Sequence, residues 1–219
     1  MLSESISSPL LDKHYQQFLR DENSTRFIHS VSQVYCIPTL EKLALQSGRM
    51  TRRAATLAVG FLSDFRSNEV LGRCLRDSDR AVRMLADHGI RQLWFRTGDE
   101  AEQYSLRKMA RLNSRHQYAM AADLAEDVLN QNRQLPEVWN QHAIAMYSLS
   151  EYERAIESCQ EAIYLNRFHF LTVVGMANAY LQTDNLPGAL ESFRLALDIN
   201  PDLESIRTQI VQLEKALDD

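Results

Sequence analysis

The sequence predicts an all-α chain, an α-solenoid in which antiparallel helix pairs stack on one another. Three observations predict it. A 34-residue pattern recurs in the C-terminal half, apolar residues fall three and four apart in the N-terminal half, and seven Gly and five Pro in 219 residues are too few for many tight turns. The repeat is plainest between 136–169 and 170–203, which align without a gap and are identical at seven positions. Trp139, Ala143, Met146, Ala155, Cys159, Ala162 and Asn166 stand one full period before Val173, Ala177, Tyr180, Ala189, Phe193, Ala196 and Asn200.

Taken in order, residues 1–8 are Ser-rich and expected to fray. Pro9 suits a first helical turn, and Leu10, Leu11, Tyr15, Phe18 and Leu19 follow at helical spacing. The polar run DENST ends that helix, and Ser24 or Thr25 can cap the next, whose stripe is Phe27, Ile28, Val31, Val34 and Tyr35. From Pro38 a short helix runs to a stop at Gly48, and a longer one begins near Thr51. SNEVLGRCLRDSD and RAVRMLADHGIRQLWF repeat the short-then-long scheme, with Arg53 and Arg83 at matching places. Gly60, Gly72 and Gly89 point to close helix packing. Residues 38–96 resemble HEAT repeats, which implies paired antiparallel helices tied by Asp and Arg ladders; Asp77 and Asp79 beside Arg80 and Arg83 fit that pattern.

TGDEA, 97–101, reads as a junction. Beyond it the register continues: Met109, Leu112, Ala121, Ala125 and Val128 stand one period before Ala143, Met146, Ala155, Cys159 and Ala162. Units 102–135, 136–169 and 170–203 resemble tetratricopeptide (TPR) repeats, the third most closely through Gly175, Met176, Ala177, Tyr180, Ala189, Phe193, Ala196 and Pro201. The resemblance implies a right-handed superhelix. Small residues such as Ala143 and Ala155 let paired helices approach, while Trp139, Tyr180 and Phe193 fill the space against the next unit. Arg167 replaces a usual Pro, and Ser150 a turn Gly. A last helix, with Ile206, Ile210, Leu213 and Leu217 on one face, is expected to cap the array. The predicted organisation is thus N-terminal helices and HEAT-like pairs in 1–96, a junction, and three TPR units with a capping helix in 102–219. Bacterial proteins that join both repeat types in one short chain are similar, which implies an architecture rather than an activity.

The net charge of -5 is unevenly spread. Residues 49–96 carry ten Arg against five acids, whereas 102–219 carry ten basic and seventeen acidic residues. Cys36, Cys74 and Cys159 are isolated and fit a reducing, cytoplasmic setting rather than disulfides or zinc. The start lacks a basic and apolar leader, and no apolar run reaches a membrane span. Six scattered His, no phosphate-cradling Gly loop and no nucleophile elbow leave no catalytic residue, metal or cofactor expected.

The expectation is therefore a non-enzymatic scaffold that binds a peptide or helix of another protein. The TPR resemblance assigns the inner groove to Gln103, Leu106, Ala110 and Asn113, to Glu137, Asn140, Ile144 and Tyr147, and to Leu171, Val174, Asn178 and Leu181. Of these, Asn140 and Asn178 could hold a peptide backbone. Ile144, Tyr147, Val174 and Leu181 could take an apolar side chain, unless the last helix or the N-terminal half covers them. Repeats that grip acidic chaperone tails use two Lys, two Asn and an Arg. Leu106, Ala110, Gln141, Leu171 and Gly175 stand at those places here, so a chaperone-tail clamp is not expected. A second reading gives the basic patch Arg49, Arg52, Arg53, Arg73, Arg76, Arg80 and Arg83 to phosphate or nucleic acid. A third follows from HEAT-like repeats in bilin lyases.

Overall fold

The structure, a computed structural model, describes residues 9–218; the Ser-rich start expected to fray lies outside the described residues. Among the described residues there are thirteen α-helices and no strand. They form two compact units, the first ending at Leu93 and the second beginning at Trp94.

The first unit holds α1 (Leu10–Asp21), α2 (Ser24–Ser32), α3 (Ile37–Gln46), α4 (Arg49–Leu62), a 3-10 turn (Phe65–Ser67), α5 (Asn68–Cys74) and α6 (Arg80–Trp94), whose last residue opens the second unit. Asn23, rather than Ser24 or Thr25, caps α2 by accepting the Arg26 amide. Gly48 does not stop α3 in a left-handed turn: its φ is -63° and it begins α4. α4 is central because it packs against α1, α2, α3 and α5. It can do so because its buried run Ala54, Ala55, Thr56, Leu57, Ala58, Val59, Gly60 is built of small and medium side chains. Phe18, Phe27 and Phe61 close one side, with ring centroids 5.4 to 6.5 Å apart.

Where α4 meets α6, two glycines touch. A Cβ on Gly60 would lie 2.9 Å from the Gly89 Cα, and one on Gly89 would lie 3.0 Å from the Gly60 Cα. At the start of α6, Asp79 accepts the amides of Ala81 and Val82 and both guanidinium nitrogens that Arg53 offers, at 2.9 and 2.7 Å. Arg52 makes the same two-pronged contact with Asp77, at 2.7 and 2.9 Å. These pairs tie α4 to the loop before α6.

The second unit is a row of helix pairs: α7 (Glu100–Ser114) with α8 (Tyr118–Gln131), α9 (Pro136–Ser148) with α10 (Tyr152–Leu165), and α11 (Phe170–Gln182) with α12 (Leu186–Ile199). α8 packs on α9 and α10 on α11, the first helices α7, α9 and α11 touch in turn, and α13 (Glu204–Asp218) lies on α12. Asp99 and Glu102 start α7 with a reciprocal capping box. Within each pair the chain turns through a left-handed residue at the same place in the repeat: His116 (φ 60°), Ser150 (φ 65°) and Asp184 (φ 55°). The following amide then donates to the carbonyl five residues back, Gln117 to Leu112, Glu151 to Met146 and Asn185 to Tyr180, each at 2.9 Å. Between pairs, Asn132, Asn166 and Asn200 each accept the amide two residues on.

The repeated Ala positions make this stack tight. Ala121, Ala145, Ala155 and Ala179 meet in one core cluster with Leu112 and Met146. Phe193 is fully buried in a cluster with Ala177, Ala189, Ile206 and Leu213, so α13 covers the last pair with Ile206, Leu213 and the half-buried Ile210.

Candidate functional site

The polar residues at the start of α9 turn inward. Glu137 is 2% exposed, and its Oε1 accepts from Asn140 Nδ2 at 2.9 Å and Gln141 Nε2 at 2.8 Å. Its Oε2 lies 2.7 Å from His169 Nε2. Thr172 Oγ1 bridges onward, 2.8 Å from His169 Nδ1 and donating to Asn140 Oδ1 at 2.7 Å. Asn113 Nδ2 donates to the Gln141 carbonyl and to its Oε1, both at 3.0 Å. Trp94 stacks on the His169 ring with centroids 3.8 Å apart, which seals the network on that side.

This corrects the reading of Asn140 as a peptide hook: its amide is buried and engaged at both ends. Glu137 and Asn113 leave the groove for the same reason, and Leu106 leaves it because it is core. Buried polar groups must be satisfied, and three helices contribute to satisfying these.

What remains on the first helices is smaller and more apolar. Ile144 and Leu171 are exposed, while Gln103, Ala110, Tyr147, Val174, Asn178 and Leu181 are half-buried. Tyr147 stands against Tyr152 with ring centroids 5.5 Å apart. Val174 and Leu181 pack on the cluster that contains Ile206 and Leu213 of α13, so the last helix takes part of their surface.

The basic patch is also divided. Arg52 and Arg53 serve Asp77 and Asp79, Arg73 pairs with Glu69 at 2.9 Å, and Arg83 donates to the Asp77 carbonyl. Arg49 reaches Asp79 at 3.5 Å with a side chain still 75% exposed. The guanidinium of Arg53 holds the Asp79 carboxyl down to about 2, as expected of a carboxylate accepting two charged donors. Arg76 and Arg80 are exposed. The expected stripe is therefore chiefly a ladder that binds α4 to the start of α6.

Burial pushes the Cys74 and Cys159 thiols up to about 11 and about 12, so both are protonated at neutral pH. Among the described residues no group of three or more His, Cys, Asp or Glu could hold a metal ion, and no helix is long and apolar enough to cross a membrane.

No family model matches the chain. The first TPR domain of Spaghetti (RPAP3), bound to the HSP90 peptide SRMEEVD, matches with a TM-score of 0.51 at 18% identity, over 53% of this chain and 92% of that one. The human RPAP3 first TPR domain matches with a TM-score of 0.49 at 18% identity, over 52% and 89%. YrrB, a TPR protein with an unusual peptide-binding site, gives 0.47 at 13% identity, over 91% and 98%. The first likeness shows a shared fold: stacked antiparallel helix pairs of the TPR kind.

Proposed function

We propose that the second unit is a non-enzymatic scaffold whose inner surface, on α9 and α11, binds a peptide or helix of another protein. The observation that carries this is the exposure of Ile144 and Leu171 on helices whose other apolar residues are buried or half-buried. With Tyr147, Val174, Asn178 and Leu181 beside them, they offer apolar contact and one free-standing amide. The TPR fold supports the reading, since one protein that shares it is seen bound to a peptide. That peptide is the HSP90 peptide SRMEEVD. In this chain no Lys or Arg stands among the inner residues carried over from the family, and Asn113 and Asn140 are consumed internally. We therefore read the surface as one for apolar rather than carboxylate-ended peptides.

In the first unit we read α3 with α4 and α5 with α6 as HEAT-like pairs, supported by the Arg52–Asp77 and Arg53–Asp79 ladder. Phosphate contact there is left mainly to Arg49 and Arg80. Titration with nucleic acid at two salt concentrations tests it, and no binding at low salt removes it.

The main reading is tested by affinity purification from the native cell with wild type and an Ile144→Glu, Leu171→Glu double variant. Both substitutions fall on exposed positions, so helicity should be unchanged. Partners lost only from the variant are the expected result; partners retained equally by both overturn the inner-surface claim.

A further inference from the structure

A second surface lies on α7. Tyr104, Lys108, Arg111, Leu112 and Arg115 line an open groove of about 210 Å³. Tyr104 is 62% exposed, and Lys108, Arg111 and Arg115 are all exposed. None of these three cations meets a carboxylate among the described residues; Arg111 only reaches the Arg107 carbonyl, at 3.3 Å. They are unusual in their unit. From residue 102 onward acids outnumber bases seventeen to ten, yet four of the ten bases, Arg107, Lys108, Arg111 and Arg115, sit on this one helix or at its end. Elsewhere Arg154 pairs with Glu126, Arg194 with Glu214, and Arg133 lies over Trp139.

The repeat register shows what such a face receives. Tyr104, Lys108 and Arg111 correspond, one period on, to Val138, His142 and Ala145 of α9. All three meet α8, and His142 also reaches Ser158 of α10 at 2.8 Å: Val138 shares a core cluster with Ala125 and Leu129, Ala145 shares one with Ala121 and Ala122, and His142 Nε2 lies 3.5 Å from Glu126 Oε1. At the next repeat, Ala179 of α11 meets Ala155 of α10 in the same way. In α9 and α11 this face is therefore the seat of a helix, and at the place equivalent to Lys108 the helix seated on α9 presents a carboxylate. In α7 the same face is open, and its side chains have become cationic.

We propose that this face of α7 docks an acidic helix of another protein, seated as α8 is on α9, with carboxylates toward Lys108, Arg111 and Arg115 and small apolar residues against Tyr104 and Leu112. Nucleic acid would satisfy the cations, but the repeat register equates this face with the seat of a helix. Contacts of this kind are exposed and salt-sensitive, so binding is weak and falls as ionic strength rises.

The test uses the full chain and a labelled, acetylated alanine-rich helix of about 18 residues, long enough to hold its fold, with Glu at every fourth position and one Leu. Fluorescence anisotropy is read at ~0.05 M and ~0.5 M salt. Wild type should bind at low salt, lose the probe at high salt, and lose it when every Glu is Gln. Lys108→Glu, Arg111→Glu, Arg115→Glu should weaken binding by about tenfold or more from charge reversal at exposed pairs. The milder Lys108→Ala, Arg111→Ala, Arg115→Ala variant guards against a folding defect. The Ile144→Glu, Leu171→Glu variant should bind the probe as wild type does, so this proposal stands or falls apart from the inner surface. No binding by wild type at low salt, equal binding by the triple variants, or tighter binding of an oligothymidylate strand that the triple variants lose would each overturn it.

Discussion

Glu137 accepts from three side chains, Asn140 and Gln141 on its own helix and His169 at the entry to α11, in a site it shares with Trp94. Removing it leaves several buried donors without an acceptor, so Glu137→Ala should cost about 3 to 5 kcal/mol and Glu137→Gln less, read as the denaturant midpoint. An unchanged midpoint would mean that water replaces the carboxylate freely. The sequence hid this role for a physical reason. Glu137 and Asn140 occupy places that line a groove in related repeats, and their partner His169 is distant in the chain, across a pair boundary. An Asp and Arg ladder was legible at Asp77 and Asp79, but the sequence set Arg80 and Arg83 beside them, whereas Arg52 and Arg53 of α4 are the side chains that reach the two carboxylates. His142 gives a pH prediction. Burial holds its imidazole below the ordinary 6.5, with Glu126 opposing, so just below that value the unfolded chain binds a proton the folded chain does not. Stability should rise with pH through this window and be lost as pH falls through the unfolded value. His142→Gln, which keeps a partner for Ser158, should flatten the difference between midpoints at about pH 5.5 and 7.5.

At the scale of elements, the turn inside each pair recurs with the repeat. His116, Ser150 and Asp184 adopt a left-handed conformation that costs an L residue about 1 kcal/mol or more, so Ser150→Gly should stabilise by roughly that amount. A lower unfolding temperature for Ser150→Gly would show that the hydroxyl residue is held by more than its backbone. The period and the missing turn Gly were legible in the chain. The helix starts were less so. Asn23 caps α2 because its side chain reaches the Arg26 amide, while Ser24 and Thr25 are already inside the helix. Between α4 and α6 the close approach signalled by the glycines is real at Gly60 and Gly89. Gly60→Ala places a methyl group against backbone, which cannot swing aside. It should destabilise by about 1 to 3 kcal/mol, whereas an exposed helical Gly→Ala change would stabilise.

For the whole molecule, the division into two compact units sets a test of whether one unfolds apart from the other. The two Trp residues, Trp94 and Trp139, both belong to the second unit, so tryptophan fluorescence follows that unit while helical circular dichroism follows the entire chain. Gly60→Ala alters a contact of the first unit, and Glu137→Ala one of the second. Each kcal/mol should move a unit of this size by roughly 4 to 8 °C. We expect Gly60→Ala to lower the dichroism transition while leaving the fluorescence midpoint in place, and Glu137→Ala to lower the fluorescence midpoint first. If both probes shift together in both variants, the chain unfolds as one cooperative body, and the stabilities of the Arg–Asp ladder and the Glu137 network must then be treated as a single quantity.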